Sequence, residues 1–265
     1  MRSAKEIEVK PISHKDADRV VASLHYSGRV DPRSVLHFGV FLDGKCGGAL
    51  QWGPPIQKSV ALPIVRDTGW NAMIELSRVA LAEWLPRNSE SRALSVALRL
   101  IKKQYPQIEW VQTYADATQC GDGAIYRATG WVLVQIRPNA SMWRMPDGKV
   151  RCSLIFSPSF GSSVGGEKKR YGAHGDEPAI SFLHRIGAQK LPGFQLRYLY
   201  FLDPTAKDRL TVPILPYSAI SEAGASMYKG KKRVSSVDSD TAPDQGAEGG
   251  ANPTETLLES QNGDT

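Results

Sequence analysis

The sequence predicts an α/β (α+β) protein with helices packed on a mixed central sheet. Apolar segments typical of strands alternate with segments of helical periodicity, in the order helix, hairpin, strand, helix, strand, helix, strand. The chain has 265 residues, of which 41% are hydrophobic. That length suits one compact domain of roughly 200 residues with a tail, or two small domains.

The first elements are marked by a cap and a turn. Ser13 with Asp16 three residues later is a capping-box pattern, and it predicts a helix that runs to about Leu24. Asp43-Gly44 joins two apolar runs, VLHFGVFL and KCGGALQWG, and this dipeptide is typical of a hairpin turn.

The middle of the chain alternates strands with helices. A buried helix is predicted to begin near Asn88 or Ser89, because the segment 93–101 is apolar on most of its faces. Gly130 is the expected end of a short helix over GAIYRATG. The predicted strands after the hairpin are MIELSRVALA, IEWVQTYA, WVLVQI, RCSLIFS and FQLRYLYFL.

Charge divides the chain at residue 233. The net charge is +6, yet residues 234–265 contain seven acids and no Lys or Arg, so residues 1–233 carry +13. A domain this basic attracts polyanions, with nucleic acid the leading candidate. Residues 234–265 are rich in Ser, Thr, Gly, Pro and Asp, so we expect a disordered acidic tail that aids solubility. Shielding of the basic surface by this tail is the alternative.

Composition disfavours several classes of protein. No apolar run approaches the roughly 18 residues of a membrane span, and the N-terminal segment lacks the apolar core of a signal peptide. We therefore expect a cytoplasmic protein with no membrane partner. Cys46, Cys120 and Cys152 are widely spaced, which predicts reduced thiols without a disulfide framework or a CxxC zinc site. The sequence leaves the oligomeric state open.

The central strand–helix–strand–helix–strand order, ending in IYRATGW, resembles the GNAT N-acetyltransferase fold. The resemblance implies a mostly antiparallel sheet and an acyl-CoA donor whose pyrophosphate lies at the N-terminus of the helix 88–103, where free N–H groups attract phosphate. The loop PRNSESRA departs from the usual pattern because it has no glycine, and Glu90 adds a negative charge. Both features disfavour the standard mode of acyl-CoA binding.

Six segments in order resemble a more specific family, the phage Mom proteins. They are HYSGR, HFGVFLDGKCGGALQWGPP, ELSRVAL, PRNSESRALSVALRLIK, YADATQCGDGAIYRATGW and RYLYFLDPTAKDRLTVPILPYS, which span roughly residues 20–230. The resemblance implies an enzyme that converts adenine in double-stranded DNA to N6-carbamoylmethyl adenine and so hides phage DNA from host restriction enzymes. It makes residues 1–233 a DNA-modification domain that acts in the host cytoplasm. The cofactor is left open between acetyl-CoA, or a related acyl donor, and iron.

Asp116 and Tyr126 are the first candidates for catalysis. Asp116 follows a strand, where α/β sheets bind ligands, and the resemblance implies that it contacts the adenine N6 amine. The alternative is a turn aspartate that caps the helix after Thr118. Tyr126 is expected either to act as a general acid or to pack as a core aromatic residue.

His25 and Tyr26 form an HY pair at the predicted end of the first helix. The resemblance implies a catalytic role for this pair and makes it the best candidate for an iron site, whereas a lone His at a helix end is ordinarily a cap or a surface group. Two His-x-Asp pairs also match part of an iron-binding triad, His14 with Asp16 and His174 with Asp176. Two-residue matches of this kind are common by chance.

Polar residues around the start of the helix 88–103 are candidates for the donor site. Ser91 lies in the first helical turn and is also a catalytic candidate. We expect phosphate or carboxylate to be bound by Ser91 together with Arg78, Arg87, Asn88 and Ser89. A helix cap is the alternative role for Ser89.

Two basic clusters, each with a tyrosine, are candidates for contact with DNA phosphates. The cationic residues are Lys168, Lys169 and Arg170 in one cluster and Lys231, Lys232 and Arg233 in the other. A solvated surface is the alternative for both.

Three other functions were weighed against DNA modification. The segment WGPP lacks the polar first residue and aromatic last residue of an adenine methyltransferase loop, and no G-x-G cofactor loop follows a strand. A conventional N-acetyltransferase that acts on a protein or a small amine is one alternative. A non-catalytic DNA-binding protein that shields sites sterically is the other.

Overall fold

The computed structural model describes residues 2–156, 171–172, 177–228 and 231–232. The predicted acidic tail therefore lies outside the described residues, and the domain boundary at residue 233 stays a prediction. The predicted DNA contacts Lys168, Lys169, Arg170 and Arg233 lie outside them as well, as does the pair His174 and Asp176.

A seven-stranded sheet in the order β1-β2-β3-β4-β5-β10-β6 organises the described residues. Among these strands β4 and β5 are the parallel neighbours, and every other pair is antiparallel. The strands of the chain are β1 Glu8–Pro11, β2 Leu36–Leu42, β3 Lys45–Gly53, β4 Met73–Leu81, β5 Trp110–Asp116, β6 Val132–Pro138, β7 Met142–Arg144, β8 Val150–Cys152, β9 Gln189–Lys190, β10 Phe194–Phe201, β11 Met227–Tyr228 and β12 Lys231–Lys232. The mixed, mostly antiparallel sheet confirms the predicted fold class.

The described helices include the three that the sequence predicted and three short ones that it did not. They are α1 His14–Leu24, α2 Lys58–Ala61, α3 Ser89–Gln104, α4 Ala124–Arg127, α5 Ala179–Arg185 and α6 Ser218–Glu222, with short 3-10 helices at Ala4–Glu6, Leu62–Ile64, Ser153–Phe156 and Pro204–Arg209. The Ser13 side chain accepts a hydrogen bond from the Asp16 N–H and caps α1, as predicted. Asp43 and Gly44 both have positive φ, which is the geometry of a two-residue hairpin turn.

The two faces of the sheet bury different layers. The α3 residues Ala93, Leu94 and Ala97 pack on one face in the main core, which also contains Leu196 and Tyr198 of β10. On the opposite face α1 covers β3 and β4 through Ala17, Val21, Ala49 and Ala80. Because side chains alternate along a strand, Arg197 between Leu196 and Tyr198 lies on the face away from α3.

A small subdomain is inserted between β6 and β10. Its three strands run in the order β8-β7-β9, and its core is made by Trp143, Met145, Ile155, Phe156, Phe182, Leu183 and Ala188. The insertion leaves the main sheet beside the end of β5, where the Ala117 N–H donates to the Phe194 carbonyl at 2.9 Å.

The strand predictions were incomplete, because β1, β7, β9, β11 and β12 were not expected from the sequence and one predicted strand is shorter than expected. RCSLIFS contributes only Arg151 and Cys152 to β8, because Ser153–Phe156 forms a 3-10 helix that turns Ile155 and Phe156 into the small core. The edge strand β1 was not predicted, since its four residues are mostly exposed and show no regular alternation of apolar side chains.

Glycines of positive φ bracket α4 and allow a matched test of the packing. Gly123 has φ +87°, and a Cβ there would lie 2.5 Å from a ring carbon of Tyr198. The Tyr198 ring is fully buried, and its hydroxyl donates to the Asp122 carbonyl at 2.6 Å. Gly130 has φ +80°, but no described atom lies within 4 Å of the equivalent position.

We expect Gly130→Ala to lower the free energy of unfolding by about 1–2 kcal/mol, the cost of the left-handed conformation. Gly123→Ala should cost a further 1–3 kcal/mol or so, because the added methyl group also displaces a fixed aromatic ring. Chemical denaturation of both variants measures the difference. Equal losses would show that Tyr198 does not confine the loop.

Candidate active site

The site lies where β4 and β5 separate. Their parallel pairing joins Met73–Leu76 to Trp110–Thr113 and ends there. Thr113 Oγ1 donates to the Leu76 carbonyl at 2.9 Å. A hydroxyl group of β5 therefore bonds to the β4 carbonyl at the end of the pairing. β5 continues past this pairing to Asp116, and the carboxyl end of a strand is the usual place for a ligand in such sheets.

Asp116 is the last residue of β5 and is partly buried. Its Oδ1 accepts from the Thr118 N–H at 3.0 Å, and its Oδ2 accepts from Gln119 Nε2 at 3.2 Å. These bonds are those of a turn residue, as the alternative predicted. Burial raises the pKa of Asp116, while the bonds to Gln119 and Thr118 oppose the rise.

Tyr126 lies in α4 and is only 7% exposed. Its ring packs against Trp131 and Tyr198, with centroid distances of 5.4 Å to each, and its hydroxyl lies 3.4 Å from Thr113 Oγ1. Burial raises its pKa to about 12, so the hydroxyl keeps its proton at neutral pH. The packing is that of a core aromatic residue. The retained proton is what a general acid requires.

Tyr26 connects the first loop to β5. Half of its surface is exposed, but burial around the hydroxyl raises its pKa, and the negative charge of Asp116 raises it further. Cys120, Arg78 and Tyr126 also act on this hydroxyl through their charges. The structure therefore brings together Tyr26, Asp116, Tyr126 and Arg78, four residues that the sequence selected from four separate segments.

His25 follows the last turn of α1 and stacks on Tyr26 with a centroid distance of 4.2 Å. Its Nδ1 accepts the Ser27 N–H at 3.2 Å, so the ring proton belongs on Nε2. Burial and the nearby Arg78 charge lower the His25 pKa to about 3. The imidazole is therefore neutral at physiological pH and offers an N–H donor.

The described residues contain no cluster of three His, Cys, Asp or Glu side chains suited to a metal ion. His14 of the predicted His-x-Asp pair stacks on His37 and pairs with Asp18, while Asp16 accepts a bond from Ser13, whose hydroxyl caps α1. Iron therefore has no support in the geometry of the described residues.

The start of α3 has the features of an anion site. Asn88 is the N-cap and has φ +70°, so it supplies the left-handed turn for which a glycine was expected. Among the described residues no side chain caps the helix. The Ser89 hydroxyl donates to the Pro86 carbonyl and the Ser91 hydroxyl to the Asn88 carbonyl, so the predicted cap role of Ser89 is wrong. Backbone N–H groups of the first turn are left for a ligand, with Arg87 exposed beside them.

Arg78 lies with His25 and Tyr26, and none of its described hydrogen bonds reaches the start of α3. Its Nε donates to the Arg29 carbonyl at 2.9 Å and its Nη1 to the Ser77 carbonyl at 2.6 Å. In register it lies opposite Gln51, and its charge acts on His25 and Tyr26. The structure thus divides the predicted donor set between two places.

Glu75 is a site residue that sequence reasoning did not select. It lies in β4 within largely apolar sequence, and Gln112 Nε2 donates to its Oε2 at 2.6 Å. Burial raises the Glu75 pKa to about 7, against the opposing effects of the Gln112 bond and the Arg33 charge. A charged residue inside the strand MIELSRVAL was the available signal.

The second basic cluster lies near the site. β11 and β12 form a hairpin that pairs Tyr228 with Lys231, and Tyr228 bridges to Gly121 in the loop after Asp116. Lys231 is exposed there, and Lys232 completes β12.

Comparison with known proteins identifies the family. The sequence model of the Mom protein family matches residues 6–219. A relative described as "Methylcarbamoylase mom", from Escherichia phage Mu, is 33% identical over 212 residues, which cover 80% of this chain and 82% of the relative. The chain belongs to the Mom protein family. This confirms the resemblance seen in the six segments.

Solved structures similar to this Mom family member are acetyltransferases, at low identity. The ribosomal-protein-S18-alanine N-acetyltransferase from Escherichia coli is 10% identical with a TM-score of 0.39 and covers 74% of this chain and 94% of its own. An N-acetyltransferase from Staphylococcus aureus Mu50 is 9% identical with a TM-score of 0.40 and covers 74% and 97%. A GNAT family acetyltransferase from Elizabethkingia anophelis with acetyl-CoA bound is 11% identical with a TM-score of 0.33 and covers 74% and 98%.

Within the described ranges, none of the helices has both the length and the apolar character needed to cross a bilayer.

Glu75 generates a pH-dependent prediction for this Mom family member. Its pKa is raised from 4.5 to about 7 on folding, so between these values the folded state binds more protons than the unfolded state. Stability should therefore fall as pH rises through this window. Glu75→Gln removes the titration, and at pH 8 we expect it to be more stable than the wild type by roughly 1–3 kcal/mol.

Denaturation at pH 5, 6, 7 and 8 measures this effect. Glu83→Gln is the matched control, since Glu83 is exposed and its change should leave the pH dependence as it is. A Glu75→Gln protein with the wild-type pH dependence would contradict the assignment.

Proposed function

We propose that this chain converts adenine in double-stranded DNA to N6-carbamoylmethyl adenine and thereby protects phage DNA from restriction in the host cytoplasm. Family membership over residues 6–219 carries the proposal. The cluster of Asp116, Tyr26 and Tyr126 at the end of β5 supports a catalytic rather than a purely DNA-binding role. The charge of +13 on residues 1–233 suits a DNA substrate.

Asp116 is the proposed contact for the adenine N6 amine. The amino group is inaccessible to chemistry inside a duplex, so the base must leave the stack and enter the site at the end of β5. The Asp116 carboxylate accepts a hydrogen bond from N6 beside those from Thr118 and Gln119, and the raised pKa makes it a better proton acceptor. As N6 forms its new bond to carbon, one N6 proton passes to Asp116.

Tyr126, Tyr26 and His25 are the proposed proton and hydrogen-bond donors to the leaving group and to the substrate. The Tyr126 and Tyr26 hydroxyls keep their protons at neutral pH, so either one protonates the leaving group. The neutral His25 donates its Nε2 proton in a hydrogen bond and orients a substrate oxygen without carrying charge. Arg78 holds this loop through the Arg29 carbonyl.

A cofactor with a phosphate group is proposed to bind at the start of α3. The uncapped first turn of α3 offers backbone N–H groups, Asn88 shapes the turn, and Ser91, Arg87 and Ser89 surround it. Glu90 in the same turn repels phosphate, and the exposed Arg87 offsets this repulsion. Carbamoylmethyl is joined to N6 through a CH2 carbon, so a cofactor bound there would have to supply a CH2 carbon with a leaving group rather than an acyl carbonyl.

Asp116→Asn separates the catalytic role from the turn role. Asparagine keeps the Oδ1 acceptor for the Thr118 N–H and suits the turn, but it cannot accept a proton. We expect at least a hundredfold loss of modified adenine with little loss of stability. Mass spectrometry of nucleosides from plasmid DNA of expressing cells measures the product, and thermal unfolding measures the fold.

Gln119→Ala is the control, because it removes only the Oδ2 bond that asparagine cannot make. It should modify DNA normally. Wild-type levels of modification by Asp116→Asn would remove Asp116 from the chemistry. Digestion of deproteinised plasmid with an adenine-sensitive restriction enzyme tests the function itself, since resistance that disappears with the protein would indicate steric shielding.

A further inference from the structure

A polar patch lies beside Asp116 on the face of the sheet away from α3. The same face is apolar at its far end, where Trp110, Val134 and Leu199 are buried in a separate core. Closer to Asp116, the next pair of same-face side chains on β5 and β10 is no longer buried. Tyr114 of β5 is 39% exposed and Arg197 of β10 is partly exposed. A face that served only for packing would stay apolar to its end.

The strand register places two arginines close to Asp116. Asp116 lies opposite Gln195 of β10, and Gln195 lies opposite Arg137 of β6. Arg197 lies opposite Tyr114, one pair along. With strands about 4.8 Å apart and same-face residues about 6.8 Å apart, the Arg197 and Arg137 backbones are about 8 and 10 Å from that of Asp116.

Both arginines keep an unneutralised charge. Neither Arg197 nor Arg137 pairs with a carboxylate in the described part of the chain. Arg197 Cζ lies 5.0 Å from the centroid of the Tyr114 ring, which holds the guanidinium in place. Its Nε is buried and has no hydrogen-bond partner among the described residues. A buried unpaired donor on a charged group is costly, and an anionic ligand would satisfy it.

The donor phosphate is not the natural ligand for these arginines. The first turn of α3 is the proposed phosphate site for the donor, and α3 packs on the face that contains Leu196 and Tyr198. Arg197 lies between those two residues in sequence and therefore points to the opposite face. The two faces thus suit two different ligands, and the arginine face is the one that adjoins Tyr26 and Asp116.

We propose that Arg197 and Arg137 bind the phosphodiester backbone of the DNA strand whose adenine enters the site at Asp116. The Tyr114 ring is the platform that fixes the Arg197 guanidinium, and the exposed Arg137 contacts a neighbouring phosphate. The contact positions the strand and does not read its sequence. This inference rests on the proposed function and names the substrate contact of the same site.

Salt dependence of DNA binding tests the proposal directly. Each lost phosphate contact should reduce the slope of log K against log salt by about 0.9 on duplex DNA. We expect this for Arg197→Met and for Arg137→Met, and about twice as much for the double variant. The probe is a fluorescently labelled duplex of 20 base pairs, and the full-length chain is titrated at several salt concentrations.

Two controls isolate the contact. Arg99→Met removes an exposed arginine from α3 on the other face and should keep the wild-type slope. Arg197→Lys keeps the charge and should keep most of the slope. Arg137 is exposed, so its replacement leaves the fold intact and keeps the test valid even if Arg197→Met unfolds, which thermal unfolding reports.

The outcomes separate this proposal from the proposed function. If the wild type modifies plasmid DNA and Arg137→Met and Arg197→Met retain its slope, the phosphate contact is wrong and the function stands. The contact is equally wrong if the variants keep the slope but bind coenzyme A more weakly. If the wild type leaves DNA unmodified, the proposed function fails and this inference fails with it.

Discussion

The candidate site depends on the place where the parallel β4–β5 pairing ends. The hydrogen bond from Thr113 Oγ1 to the Leu76 carbonyl lies at this place. It occupies the last acceptor of the parallel β4–β5 pairing, and beyond it the two strands follow separate partners. β5 then extends to Asp116 without β4 beside it. The same Thr113 hydroxyl lies 3.4 Å from that of Tyr126, so the end of the pairing and the candidate acid are joined through one side chain.

Alternation along β5 divides its side chains between two faces of different character. Val111 and Ala115 turn toward the main core and α3, while Gln112, Tyr114 and Asp116 turn toward the other face. The strand therefore has α3 packed on one side and the polar surface with Arg197 on the other, because a pleated strand cannot present one residue to both faces.

Burial sets the protonation of the cluster. Desolvation raises the pKa of Asp116, Glu75 and Tyr26 and lowers that of His25, because each change favours the neutral form. Arg78 opposes the shifts of Glu75 and Tyr26 and adds to that of His25. The result is a site whose cationic charge comes from fixed arginines, with hydroxyl and imidazole groups left as neutral hydrogen-bond donors.

Local signals in the sequence determined the elements of this protein. Ser13, Asp43-Gly44 and Gly130 marked boundaries that the structure confirms, because caps and turns depend on residues adjacent in the chain. Ordered segments identified the family and selected Asp116, Tyr126, His25 and Tyr26. Only the tertiary structure decided which residues meet. It separated Arg78 from the start of α3 and added Glu75, Arg137 and Arg197, because their roles depend on strand register and burial between segments far apart in sequence.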